Sequence, residues 1–184
     1  SFFIDKLGAL MICVTALIGL CGVLACLATL NEDQETRYFY VFFHFLMAAS
    51  VGAFSTGDIF NLYVWFEMLL ISSFALLVIH QGTKILDGAV KYVSLSLLSS
   101  FLFLLGLGIV YNAGGTLQIR DLQNTLVNHG ALMPAASVCI LMAFLIKAGA
   151  FPFYQWLPGS YPHLPSGILA VFAGLLTKVG VFSL

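Results

Sequence analysis

Apolar runs of about twenty residues, separated by short polar clusters, repeat along the whole chain. A helix rises about 1.5 Å per residue, so a run of ~20 apolar residues crosses a hydrocarbon core of ~30 Å. The pattern predicts six spans. The first covers 7–30, preceded by Asp5 and Lys6 and closed by the cluster NEDQETR. The second covers 38–57, and Asp58 marks a tight turn into the third, 59–80. QGTKILDGAVK (81–91) reads as a loop before the fourth span, 92–112. AGGTLQIRDLQNTLVNHG (113–130) reads as a turn with a short surface helix, followed by a fifth span at 132–153 and a sixth at 165–184. If every span crosses, Arg37, Lys84 and Lys91 share one side while Lys6 and Arg120 share the other. The excess of cations on the first side places it in the cytoplasm.

Composition narrows the class. The chain is 61% hydrophobic and 8% charged, where soluble domains carry roughly a quarter charged residues. It also lacks the polarity of a disordered chain. The fold class is all-α, a polytopic helical bundle whose solvent is the lipid bilayer. No basic patch is present to meet phosphates, so nucleic acid is not a partner. Cys13, Cys21, Cys26 and Cys139 all lie in apolar runs without metal-ligand or disulfide-framework spacing, and read as small fillers of helix interfaces. No phosphate loop and no nucleophile with its base occurs, so neither a metal, a cofactor nor enzyme chemistry is expected. The first run is a full-length span rather than a signal peptide. A start at Ser1 and an end inside an apolar run at Leu184 suggest a piece of a longer polypeptide.

Three charges fall where none should. Glu67 lies nine residues past Asp58, about 13 Å along a helix. Lys147 sits in LIKAGAFPFYQWLP with no acidic neighbour in sequence, and Lys178 lies well inside the last run. Each costs about 2.5–3.5 kcal/mol at a helix centre on insertion scales, unless it faces a bundle interior, a partner charge or internal water. Two readings stand. They form a static ion pair between helices, with snorkelling as a further possibility for a lysine near a span end, or they form an ionisable relay. The relay is preferred: burial disfavours a lysine's charged form and a nearby carboxylate restores it. A glutamate moving nearer or further would therefore switch a lysine between holding and releasing a proton.

Pro152 follows Lys147 by five residues. It has no N–H to offer the carbonyl of Ala148 and its ring clashes there, so the helix is expected to break beside the lysine, with Gly149 adding slack. Carbonyls freed at membrane depth are tolerated where a cavity is lined. An ordinary packing kink is the equal alternative. His44, inside the second span, either bridges water between charges or is a packed core histidine; alone it is no haem site. Lys91 either hands protons inward or anchors its helix. Ser94, Ser96, Ser99 and Ser100 suit close packing or water binding, and Tyr63, Trp65, Trp156 and most phenylalanines read as lipid-facing or interfacial.

The stretch LIKAGAFPFYQWLPGSYPHLPSGILAVFAGLLTKVG resembles the signature of the antiporter-like membrane subunits shared by Mrp cation/proton antiporters and respiratory complex I. GDIFNLYVWFEMLLISSFALL, KILDGAVKYV and GTLQIRDL are most similar to the D-type subunits of the Mrp antiporters. The resemblance runs through nearly all of the chain. It implies about fourteen spans in two inverted five-helix repeats, of which these residues would supply the third to eighth, essentially the first repeat. It also implies that Glu67, Lys147 and Lys178 match the family's glutamate, broken-helix lysine and relay lysine. One departure stands out. Where relatives often carry an acidic residue after WLP, this chain has LPGSYPHLP, with Gly159 and His163; His163 is either a proton entry group or a solvated loop residue.

Three functions follow as expectations. The leading one is a proton-translocating subunit of a multisubunit sodium (or other cation)/proton antiporter in a prokaryotic cell membrane, partnered by other membrane subunits. The second is the same device driven by redox chemistry, as in complex I or a membrane-bound hydrogenase. The third, of another class, is a non-transporting structural membrane subunit.

Overall fold

The computed structural model describes residues 2–29, 38–79, 83–125 and 132–184. Arg37, His80 and His129 lie outside the described residues, as do the side chains of Lys84 and His163.

The described residues are helical nearly throughout. Helix α1 is Lys6–Thr29, α2 is Phe39–Phe54, α3 is Ile59–Ile79, α4 is Thr83–Gly114 and α5 is Ile119–Thr125. Helix α6 is Met133–Ala148 and α7 is Trp156–Ser160. The last rod is built from α8, Ser166–Val171, a π-helical stretch at Phe172–Leu176, and α9, Thr177–Ser183. Five segments are long and apolar enough to cross a membrane: Lys6–Ala28, Ile59–Ile79, Asp87–Gly114, Met133–Ser160 and Ser166–Ser183. Helix α2 is apolar throughout but only 16 residues long.

Residues 83–91, expected as loop, instead form the first turns of α4. Their polar side chains do not oppose helix. Asp87 and Lys91, four positions apart, pair at 2.7 Å on its exposed face, while Gly88 lets the helix lie directly on Gly159 of α7.

Helix α4 is the hub, packed on α3, α6 and α7, while α2 bridges α1 and α3, and α1 and α6 hold the last rod. Where α3, α4 and α6 meet, Phe66, Phe103 and Phe144 form a triangle with ring centroids 5.0–5.9 Å apart. Ser99 on α4 donates to the carbonyl of Ala143 on α6 at 2.8 Å, a polar clasp between otherwise apolar faces. The aromatic residues therefore do more inside the bundle than expected. Phe39, Phe43, Phe54, Phe66, Phe103, Phe172 and Trp156 are all buried. With lipid outside as apolar as the core, hydropathy does not say which face an aromatic ring takes. The cysteines divide likewise: Cys26 is buried, whereas Cys13 and Cys21 are exposed on α1 and fill no helix interface among the described residues.

On the face where α2 ends and α3 starts, short backbone bridges join Phe2 to Thr56 and Asp58 to Gln118. Arg120 lies over the Phe3 ring, 4.3 Å from its centroid. The opposite face holds the start of α4 and α7.

Candidate functional site

The broken helix is a Schellman cap. Gly149 takes the left-handed conformation at φ 68°, its N–H bonds the carbonyl of Ile146, and the N–H of Ala150 bonds that of Leu145. Gly149 thus ends α6 one residue after Ala148, and Pro152, following a cis bond from Phe151, lies beyond the break. The helix thus ends just after Lys147, and Gly149 does more there than add slack, since it closes the cap. The cap satisfies the carbonyls first, and the indole Nε1 of Trp156 adds a donor to Ile146 O at 3.3 Å.

That indole closes one side of a small cavity. Its volume is about 20 Å³, and Phe66, Leu69, Leu70, Tyr92, Ser96, Lys147, Trp156 and Leu176 line it. One water needs ~10–15 Å³ in this measure and two to four polar partners. The space therefore suits one water, with Lys147, Tyr92 and Ser96 as its polar walls. The ammonium of Lys147 also lies 5.7 Å from the centre of the Phe66 ring, within reach of a cation–π attraction.

Glu67 follows Phe66 on α3. Its Oε1 is buried and has no hydrogen-bond partner among the described residues. Phe66, against whose ring the Lys147 ammonium lies, is its neighbour in the chain, yet Glu67 and Lys147 make no ion pair, Lys91–Asp87 being the only one among the described residues. Both are half-buried. An acid and a base thus share one neighbourhood of the bundle without touching.

Lys178 belongs to a different face. It is exposed, and its Nζ donates to the carbonyl of Ala173 at 2.6 Å, five residues back. The π-helical stretch widens the turn at that carbonyl. The backbone of α9 nevertheless meets the site, because Gly180 lies against the backbone of Lys147 and Ala148. His44 is exposed on α2, with Nδ1 2.7 Å from the carbonyl of Tyr40 in the preceding turn. Lys91 is exposed and paired with Asp87. His163 has its backbone in the turn Tyr161–His163. The fold sets Lys147 against Phe66, the residue before Glu67, and leaves Lys178, His44 and Lys91 exposed. Among the described residues no group of three or more His, Cys, Asp or Glu side chains converges as a metal site would require.

Tyr92 and Ser73 are the members that sequence reasoning missed. The Tyr92 hydroxyl and Ser73 Oγ are 2.6 Å apart, both buried, joining α4 to α3. One signal was available: Tyr92, Ser96, Ser99 or Ser100, and Phe103 recur at three- and four-residue steps on one face of α4.

Residues 56–184 match the family described as NADH:quinone oxidoreductase/Mrp antiporter, transmembrane. The chain is 42% identical over 183 residues to the D component of the Na(+)/H(+) antiporter of Bacillus subtilis, covering 98% of this chain and 37% of that protein. Among solved structures it superposes on a chain of the Mrp complex from Dietzia sp. DQ12-45-1b with a TM-score of 0.85 at 29% identity, covering 97% of this chain and 34% of that one. It superposes equally on a chain of the membrane-bound sulfane sulfur reductase, an archaeal respiratory membrane complex. There the TM-score is 0.86 at 28% identity, covering 95% and 36%. These residues therefore span little more than a third of the proteins they match, and have the all-helical, multi-pass membrane fold of those proteins.

Proposed function

The chain belongs to the NADH:quinone oxidoreductase/Mrp antiporter transmembrane family, and from that premise we propose that it carries protons as part of the D component of a multisubunit sodium/proton antiporter in a bacterial cell membrane. Glu67 and Lys147 are the working pair and Lys178 receives the proton next. The single observation that carries this reading is the unpartnered carboxylate oxygen of Glu67, one residue from the Phe66 ring on which the Lys147 ammonium lies. A static ion pair would close to hydrogen-bond distance, because a buried charge left unpaired is costly. Here Glu67 Oε1 is buried without a partner among the described residues, and the Lys147 ammonium lines a cavity that fits one water. That spacing lets the carboxylate tune the ammonium while leaving its protons free to move.

Lys178 extends the path outward, toward whatever the rest of the assembly packs on that face. Sodium and the other membrane subunits are partners on this reading. A redox-driven translocase is the second reading, favoured by the equal likeness to the sulfane sulfur reductase chain. A purely structural role is the third.

The test is sodium-dependent proton movement in inverted vesicles carrying the whole assembly, with Glu67→Gln beside wild type. Movement in wild type, lost in an assembled variant, supports the antiporter reading. No sodium response in wild type points to the redox-driven device. Full activity in the variant makes the charges structural.

A further inference from the structure

The polar walls of the cavity at Lys147 are unequal. Ser96 lies one turn from Tyr92 on the same helix, whereas Tyr92 joins the cavity to a second buried hydroxyl on a different helix. Its Oη is 2.6 Å from Ser73 Oγ. Ser73 can also turn its proton to the carbonyl of Leu69 or, at 3.1 Å, to that of Leu70. The hydroxyl of Ser73 thus has two settings, one donating to its own helix and one donating to Tyr92.

Position gives this pair a direction. Tyr92 lies five residues into the apolar segment Asp87–Gly114, and Ser73 six residues before the end of Ile59–Ile79, ~8 Å and ~9 Å from the ends that these segments share on one side by helix rise. The Tyr92 ring packs on Trp156, with centroids 5.1 Å apart, and one turn outward Gly88 lies on Gly159. The pair therefore sits between Lys147 and the face at which α3 ends and α4 begins.

We propose that Tyr92 is a proton-transfer residue, the hydroxyl through which Lys147 exchanges its proton with that face, by way of one water held between Tyr92, Ser96 and Lys147. This rests on the proton-carrying reading of Lys147. In the loading direction a proton arriving from the α3–α4 face binds Ser73 Oγ as Ser73 passes its own to Tyr92 Oη. Tyr92 passes its hydroxyl proton to the water, and the water passes one to the neutral amine of Lys147. Each oxygen gains and loses one proton, and the net change is one proton on Lys147. Rotation of the hydroxyls restores the starting arrangement. When Ser73 donates to Leu69 instead, Tyr92 donates to Ser73 and the route is interrupted.

The test uses the whole assembly in inverted vesicles. Tyr92→Phe keeps the ring on Trp156 and removes only the hydroxyl. The expected result is an assembled complex, with unchanged thermal midpoint, whose proton movement falls about tenfold or more and whose rate ratio between H2O and D2O changes. Wild-type rate and isotope ratio in Tyr92→Phe overturn the proposal. If that variant does not assemble, Ser73→Ala, which takes away the hydroxyl that passes its proton to Tyr92, is read on the same measures: a lowered rate with an altered isotope ratio supports the proposal and wild-type values overturn it. A wild-type complex that moves no protons refutes the proton-carrying reading itself, whereas an active wild type with an equally active Tyr92→Phe refutes only the role of Tyr92.

Discussion

Gly180 lies against the backbone at Lys147. A methyl group at Gly180 would come within 2.5 Å of the Ala148 nitrogen and 2.8 Å of the Lys147 carbonyl carbon. These are backbone atoms at a helix end already fixed by its cap, so neither side can yield by turning a side chain. Overpacking of this kind costs about 1–3 kcal/mol. Gly180→Ala is expected to lower the thermal midpoint of the assembly and to slow proton movement by displacing Lys147. A variant with wild-type midpoint and rate would show that α9 does not set the position of the lysine.

Gly149 carries the cap by its backbone conformation. At φ 68° any residue with a Cβ is strained by about 1–2 kcal/mol, and the side chain of Leu157 crowds the same point. Gly149→Ala should destabilise more than an alanine at Gly108, where a Cβ meets nothing within 4 Å. Thermal unfolding of the two variants in detergent measures the difference.

Trp156 joins the cap to the cavity. Trp156→Phe removes the donor to Ile146 O while leaving a ring against Tyr92. One hydrogen bond of this kind contributes about 1 kcal/mol. The expected outcome is a loss of that order in stability, together with faster proteolysis of the segment between α6 and α7. Unchanged protection would mean that the cap stands without the indole.

Ser99 provides a contrast outside the cavity. Its bond to the Ala143 carbonyl holds α4 to α6, and interhelical bonds in membranes average about 0.6 kcal/mol. Ser99→Ala is therefore expected to cost roughly that much stability and to leave the rate of proton movement unchanged. A large loss of transport with intact assembly would move the water path to this side of α4.

Much of the helical framework was legible from the apolar periodicity, because the bilayer admits few backbone solutions. The break beside Lys147 was legible too, though not the cap that forms it. Pro152 is the conspicuous helix breaker in sequence, whereas the Schellman cap on Gly149 depends on a backbone conformation that one glycine among many does not announce. That Glu67, Lys147 and Lys178 fall inside long apolar segments followed from counting residues. Their facing did not: Lys178 differs from Lys147 by which side of its rod looks inward, and the π-helical stretch at Phe172–Leu176 shifts that register in a way that no fixed helical period reveals. Tyr92 escaped notice because it follows the charged Lys91, whose pairing with Asp87 marks a surface turn. Part of its burial comes from Trp156 on α7, a short helix beyond the break that lies between the fifth and sixth predicted spans.

The central claim is that Lys147 holds a transported proton within the membrane. The most direct measurement is sodium-driven proton movement in inverted vesicles carrying the whole assembly, comparing Lys147→Ala with wild type at equal amounts of assembled complex. The account predicts antiport in wild type and its loss in the variant. Full antiport by an assembled Lys147→Ala complex would contradict it.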